Sequence, residues 1–176
     1  MITEEEFLKA EIETLNLTMN NELFVGLANS VANYCKKFSP KSVIDYGCGT
    51  GVYSEVMRQE GFEILALDVF KSHRDYCKAE YSELKVIARP KAAEMMLFIE
   101  VAEHMTDQEI KNAIDVIEPK VILFSSTPHT TENDAEWGHI NIKQEDEWIA
   151  FWKVLGYKVL EKPSTPTTWT LMLEKI

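Results

Sequence analysis

No two of the three cysteines, Cys35, Cys48 and Cys77, stand at C-x-x-C spacing, and their number is odd. That pattern points away from a disulfide framework and toward a reducing cytoplasm. No apolar run approaches the length needed to span a bilayer. Nothing reads as a secretory signal either, because residues 3 to 6 are Thr-Glu-Glu-Glu and no apolar stretch follows them. Positive charge is scarce: 18 Lys and Arg face 29 Asp and Glu, a net charge of −11. Binding along a phosphate backbone would have to overcome mutual repulsion, so nucleic acid is not an expected partner. A small molecule, free or presented by a carrier, is easier to reconcile with that charge. There is no internal repeat, no linker and no low-complexity segment.

The 176 residues, 45% of them hydrophobic, suit one domain with one sizeable core. The expected organisation is a single domain over 1–176, with an N-terminal helical segment over 1–40 and a core over 41–176. Residues 4 to 37 read as helical, with apolar positions from Phe24 to Cys35 at helical spacing and an end at Ser39-Pro40. Strands are expected at Ser42–Tyr46, Phe62–Leu67, Leu84–Ala88, Met95–Ile99 and Val121–Phe124. Helices are expected at about 51–59, 71–84, from Thr106 onward and at 144–155. Thr106-Asp-Gln-Glu109 is a capping-box pattern. Tyr157–Leu160 and Thr168–Leu173, joined through Pro163-Ser-Thr-Pro166, read as a β-hairpin. Alternating strand and helix with such an ending predicts an α/β fold: a Rossmann-like, doubly wound, mostly parallel seven-stranded sheet whose last strand is antiparallel.

Val43-Ile-Asp-Tyr-Gly-Cys-Gly-Thr-Gly51 is the most informative stretch. A buried strand ends there in a tight turn, and a helix begins at once. Glycines let the chain turn sharply and let a ligand lie against bare main chain, while the helix start offers N–H groups to an anion. A nicotinamide fingerprint would need a glycine where Val52 stands. Asp45 suits a cationic ligand group better than a pyrophosphate. A ligand with both a carboxylate and an ammonium fits this turn, as the methionine part of S-adenosylmethionine does. The stretch resembles motif I of the class I S-adenosylmethionine-dependent methyltransferases, and the resemblance extends over most of the chain from Ser42 onward.

That resemblance implies cofactor contacts at Asp45, Gly47, Cys48 and Gly49. Asp68, at the end of the second strand and about twenty residues past the first glycine, is the expected acceptor for ribose hydroxyls. Val69, and Phe70 after it, would flank the adenine. Ala88-Arg89-Pro90-Lys91 gives no match to the family's further adenine contact. For Cys48, close packing is favoured over a nucleophilic role, since no base is tied to it by sequence.

After the fourth strand, Ile99-Glu-Val-Ala-Glu-His-Met105 resembles the E-V-x-E-H segment of quinone-pathway O-methyltransferases and of small-RNA 3′-end methyltransferases. By that resemblance Glu100, Glu103, His104 and a later histidine would hold a divalent metal, magnesium or manganese, near an acceptor hydroxyl. His139 is the candidate for the later histidine, and His129 is its competitor. A hard cation takes carboxylate oxygens and makes a hydroxyl easier to deprotonate. The same segment also occurs in relatives without a metal. There the first acid, Glu100 here, touches the cofactor, and His104 or His139 would be a general base or a structural group. Ser and Thr between Phe124 and Thr131 could line an acceptor pocket, or simply make a turn. Trp148 and Trp152, four apart on a helix, fit core packing, whereas Trp137 sits near His139 in a loop.

The expected activity is methyl transfer from S-adenosylmethionine to a small-molecule hydroxyl. The alternatives are metal-independent N- or C-methylation, and a non-catalytic cofactor-binding subunit that serves a partner.

Overall fold

The computed structural model describes residues 3–132 and 134–176; Met1, Ile2 and Asn133, which the expected domain includes, lie outside the described residues. Backbone contacts divide the chain after Pro90 into two compact units.

The first unit opens on helix α1 (Glu4–Glu13), started by a reciprocal capping box: the Thr3 hydroxyl accepts from the Glu6 amide at 3.2 Å, and the Glu6 carboxylate accepts from the Thr3 amide at 2.8 Å. The expected continuous helix over 4–37 is in fact two helices. Asn16 takes the left-handed conformation at φ 51°, and the Asn21 side chain caps a new helix, α2 (Glu22–Cys35), by accepting from the Leu23 amide. Asparagine tolerates the left-handed region and favours helix starts, so the two residues together break the run.

Strand β1 (Val43–Tyr46) buries all four side chains, and helix α3 (Val52–Gln59) follows the glycine turn. Strand β2 (Ile64–Leu67) pairs parallel with β1, setting Asp45 beside Ala66, and strand β3 (Lys85–Ile87) pairs parallel with β2. Helix α4 (Lys71–Glu80) is the polar crossover between β2 and β3. Apolar residues of α2, β1, α3 and β2, among them Val31, Cys35, Ile44, Met57 and Leu67, are fully buried and make this unit's core.

The second unit contains strands β4 (Met95–Ile99) and β5 (Val121–Ser125), paired parallel with Phe98 beside Phe124, and joined by helix α5 (Asp107–Ile117). The loop after β5 contains a short helix, α6 (Asp134–Trp137), which the sequence pattern did not announce. Helix α7 (Glu145–Val154) leads into β6 (Tyr157–Glu161) and β7 (Leu171–Lys175). β7 runs antiparallel to both β5 and β6, so the expected terminal hairpin is present with its last strand reversed. Among the described residues, no helix is long and apolar enough to cross a membrane.

An aromatic cluster fills this second core. Trp152 is fully buried and meets Phe98, Phe124, Phe151 and Tyr157 edge-on, with ring centroids 5.1 to 6.4 Å apart. Such pairs stabilise beyond their buried area. Trp152→Ala is expected to cost about 3–5 kcal/mol, the usual scale for emptying a buried aromatic site. Urea unfolding monitored by circular dichroism measures it, and a loss below about 1 kcal/mol would contradict this packing account.

Candidate active site

Two clusters carry chemistry, one in each unit. In the first, the turn after β1 is tied to the end of β2: the amides of Gly47 and Cys48 both donate to the Leu67 carbonyl, at 2.8 and 2.9 Å. The Asp68 carboxylate then accepts from the Gly49 amide at 3.0 Å and from the Phe70 amide at 2.9 Å. Gly51 caps α3 at φ 80°, where a Cβ would meet Cys77 Sγ at 2.9 Å and Tyr81 at 3.0 Å. Only glycine fits there on both counts.

Asp45 is buried beneath this turn and accepts from the Ser54 hydroxyl at 2.6 Å. Burial pushes its carboxyl up to about 6; the Ser54 hydrogen bond opposes the rise and the charge of Asp68 adds to it. Burial also raises Asp68, against the amides it accepts from. Carboxylates raised by burial are groups whose charge is short of solvation, and hydroxyl or cationic donors from a ligand would stabilise them. Next to Asp68, Val69 and Phe70 are large apolar side chains left 67% and 40% exposed. They lie where an aromatic base is expected, and an exposed apolar pair fits one. The turn thus sets two buried acids beside an exposed apolar pair. Cys48 is buried; the neighbouring Cys77 thiol and then burial push its own thiol well above the usual range, which disfavours a nucleophile.

In the second unit, Glu100 follows β4 in the left-handed conformation at φ 53°. A non-glycine residue holds that conformation only when its surroundings over-determine it. Here the Glu100 amide donates to the Ser125 carbonyl at 2.8 Å, and its carboxylate accepts from the Ser125 hydroxyl and from the Trp169 indole at 3.0 Å. The chain then makes one 3-10 turn over Ala102–His104 before Thr106 caps α5. That turn presents Glu103 and His104 together.

Glu103 is almost fully buried and accepts from the Ser126 hydroxyl at 2.9 Å, while its carbonyl takes the amides of Ile140 and Asn141. This backbone tie brings the 137–141 loop to the cluster. The His139 ring stands 4.8 Å from that of His104. His139 Nδ1 contacts the Asp134 carboxylate at 3.1 Å, and its amide donates to the Asp134 carbonyl at 2.8 Å. A carboxylate on one ring nitrogen orients the imidazole and turns the other nitrogen outward, as at metal-binding histidines. One carboxylate oxygen of Glu103 and one nitrogen from each histidine all lie within 4.8 Å of one another.

A family model described as a methyltransferase domain matches residues 19–162. The chain belongs to that family. Its relatives include the ubiquinone biosynthesis O-methyltransferase of Rickettsia typhi, 26% identical over 124 residues that make up 63% of this chain and 50% of that protein. The chain spans about half the length of the curated relatives it matches. Among solved structures, DesVI of Streptomyces venezuelae superposes with a TM-score of 0.70 at 12% identity, over 99% of either chain. Magnesium protoporphyrin IX methyltransferase of Synechocystis PCC 6803 superposes at 0.68 and 12% identity, over 99% of this chain and 100% of that one. At such identities the likeness establishes the fold. It is the Rossmann-like, mostly parallel seven-stranded fold of the class I methyltransferases, with the antiparallel last strand that the sequence pattern predicts.

Of the residues that the methyltransferase resemblance singled out, Asp45, Gly47, Cys48, Gly49 and Asp68 gather at one turn, with Val69 following Asp68. Glu103, His104 and His139 gather at the second cluster. Glu100 is outside that trio, its carboxylate engaged by Ser125 and Trp169. His129 is exposed and packs edge-on against Trp169 at 5.3 Å, apart from the trio. Asp134, Trp169 and Glu11 are partners that the pattern did not single out; only the five-residue spacing between Asp134 and His139 hinted at the first.

Burial, and then the charge of Glu100, push the Glu103 carboxyl up to about 8. Burial, and then His139, bring His104 down to about 4. The folded state therefore holds the Glu103 proton over a range where the unfolded chain has released it, and Glu103 lowers stability as pH rises from about 4.5 to about 8. His104 acts in the opposite sense, its contribution being lost as pH falls from about 6.5 to about 4. Above pH 6.5 only the Glu103 slope remains of the two. In chelator, the melting temperature of the wild type is expected to fall between pH 6.5 and 8 more steeply than that of Glu103→Gln. Parallel profiles in calorimetric scans would show that Glu103 does not titrate there.

Proposed function

We propose that the chain acts as one methyltransferase domain that transfers the methyl group of S-adenosylmethionine to a hydroxyl of a small molecule in the cytoplasm. The convergence of Glu103, His104 and His139 carries the acceptor half of this reading. The glycine turn with Asp68 carries the cofactor half. The matched relatives are named for O-methylation in ubiquinone biosynthesis, which supports an oxygen acceptor. The net charge of −11 favours a small acceptor over a nucleic acid, and three buried free thiols suit a reducing compartment.

The donor set at the second cluster is two imidazoles and one carboxylate, which fits a divalent transition ion such as manganese better than magnesium. Glu103, His104 and His139 would hold it, and when bound it would supply Lewis acidity that makes an acceptor hydroxyl more acidic. His104, at about 4, is neutral at neutral pH and therefore ready to donate a lone pair. The same value makes it a weak general base, since a base works best with its pKa near the operating pH. Asp134 keeps the His139 ring oriented, and Ser126 fixes the Glu103 carboxylate by donating to it. In the first unit, Asp68 would accept from ribose hydroxyls, Val69 and Phe70 would flank the base, and Asp45 would offset the positive charge of the methionine part. The acceptor oxygen attacks the methyl carbon in line, the carbon–sulfur bond breaks, and the hydroxyl proton leaves to solvent or a base. Holding both reactants supplies much of the rate.

The purified chain is expected to bind S-adenosylmethionine and S-adenosylhomocysteine but not NAD. Asp68→Ala should weaken that binding by about 1–3 kcal/mol. Calorimetry showing no nucleoside binding, or tight NAD binding, would overturn the cofactor assignment. Titration with manganese followed by electron paramagnetic resonance should show one bound ion per chain, lost in His139→Ala while S-adenosylhomocysteine still binds. With labelled cofactor and a panel of phenols and catechols, chelator should abolish transfer and manganese restore it. If the ion is not bound and chelator changes nothing, the metal-independent reading replaces this one.

A further inference from the structure

The N-terminal helix delivers a side chain to the glycine turn. Glu11, near the end of α1, is about nine-tenths buried although charged, and its carboxylate lies directly on Gly49: a Cβ there would be 3.1 Å from Glu11 Oε1 and 3.4 Å from Oε2. A Cβ there would crowd the carboxylate, and at φ 53° glycine is the residue that adopts this backbone without strain. Two ties between α1 and α4 hold it in place. His73, itself 1% exposed, contacts Glu11 Oε2 through Nε2 at 3.0 Å. Seven residues earlier in α1, the Ser72 hydroxyl donates to the Glu4 carbonyl at 3.2 Å. Phe7 packs beside His73 and Phe70, with centroids 5.9 and 6.1 Å away.

Among the described residues Glu11 Oε2 meets His73, while Oε1, the oxygen nearer Gly49, has no hydrogen-bond partner. The same glycine donates its amide to Asp68. Two buried carboxylates from opposite ends of the first unit's sequence thus converge on one backbone position, one of them with an oxygen still able to accept. The side chain is largely buried, yet Oε1 is not sealed from outside, so a donor on a ligand can reach it and complete it. A vicinal diol provides two donors side by side, one for each carboxylate.

We propose that Glu11 is a cofactor-binding residue, brought by α1 to the glycine turn, that accepts a hydrogen bond from a ribose hydroxyl alongside Asp68. This rests on the S-adenosylmethionine reading above. His73 is the positioning residue that orients the Glu11 carboxylate.

The test is calorimetric titration of S-adenosylhomocysteine and of 5′-methylthioadenosine, which keeps the ribose but lacks the amino-acid part, into wild type, Glu11→Ala and Glu11→Gln. Glu11→Ala should weaken both ligands by about ten-fold, the scale of one hydrogen bond to a charged acceptor. Glu11→Gln should lose less, because its amide oxygen still accepts, and it serves as the readout if the alanine variant does not fold. A loss confined to S-adenosylhomocysteine would place Glu11 on the ammonium and overturn the ribose assignment. Unchanged or tighter binding in both variants, with Asp68→Ala still impaired, would overturn the inference and leave the proposed function standing. If the wild type binds neither ligand, the cofactor reading fails, and the role of Glu11 falls with it.

Discussion

The Asp68 carboxylate accepts two main-chain amides, one from the glycine turn after β1 and one from the chain leaving β2. The turn's path depends on that carboxylate, because it takes up the Gly49 amide, a half-buried donor, and holds the turn against β2. With Gly47 and Cys48 already hung on the Leu67 carbonyl, the turn closes against the end of β2, and α3 can start at Gly51 without a side-chain cap. A helix start without a side-chain cap favours an anion, while the carboxylates beneath favour cations and hydroxyl donors. A turn with acceptors on one side and donors on the other suits a ligand carrying both kinds of charge.

Much of the architecture could be read from the residues because its signals are local. Continuous apolar runs at Met95–Ile99 and Val121–Phe124 have one physical solution in a layered α/β domain, a strand buried on both faces. The Thr106 capping box and the Gly156 stop bracket their helices for reasons contained within a few residues. The break between α1 and α2 was harder to read. Residues 14–21 carry neither glycine nor proline, and the helix ends because two asparagines favour other conformations. Asparagine is a weaker punctuator, and helical spacing on both sides masked it.

The sites were legible to a different degree. Motif I and Asp68 announce themselves by spacing along the chain, since strand, turn and next strand have nearly fixed lengths. Glu103, His104 and His139 were nameable one by one, but their convergence depends on a long-range event: the Glu103 carbonyl captures the amides of Ile140 and Asn141. Nothing in the sequence around either segment encodes that pairing. The same holds for Trp169 on Glu100 and for Glu11 on His73. In each case one polar group is recruited across tens of residues to satisfy another, and pattern reading along the chain does not reach that far.

Buried acid is the common theme of both clusters. Asp45 and Glu103 are pushed upward by burial, and each has another carboxylate adding to the rise. A chain selected for stability alone would replace such groups with apolar residues of similar volume, at little cost or with a gain. Retaining them within a protein of net charge −11 has a physical rationale if cations or strong donors complete them during function. Under the proposed function each site would take one: a sulfonium and ammonium with ribose hydroxyls at the glycine turn, a divalent ion between Glu103 and the two histidines. Neutral His104 would help the second case, because a protonated imidazole would repel the ion, and binding would displace the proton that burial leaves on Glu103. The burial that makes these groups costly in the protein by itself therefore also makes them selective, since only a partner of the right charge can relieve it.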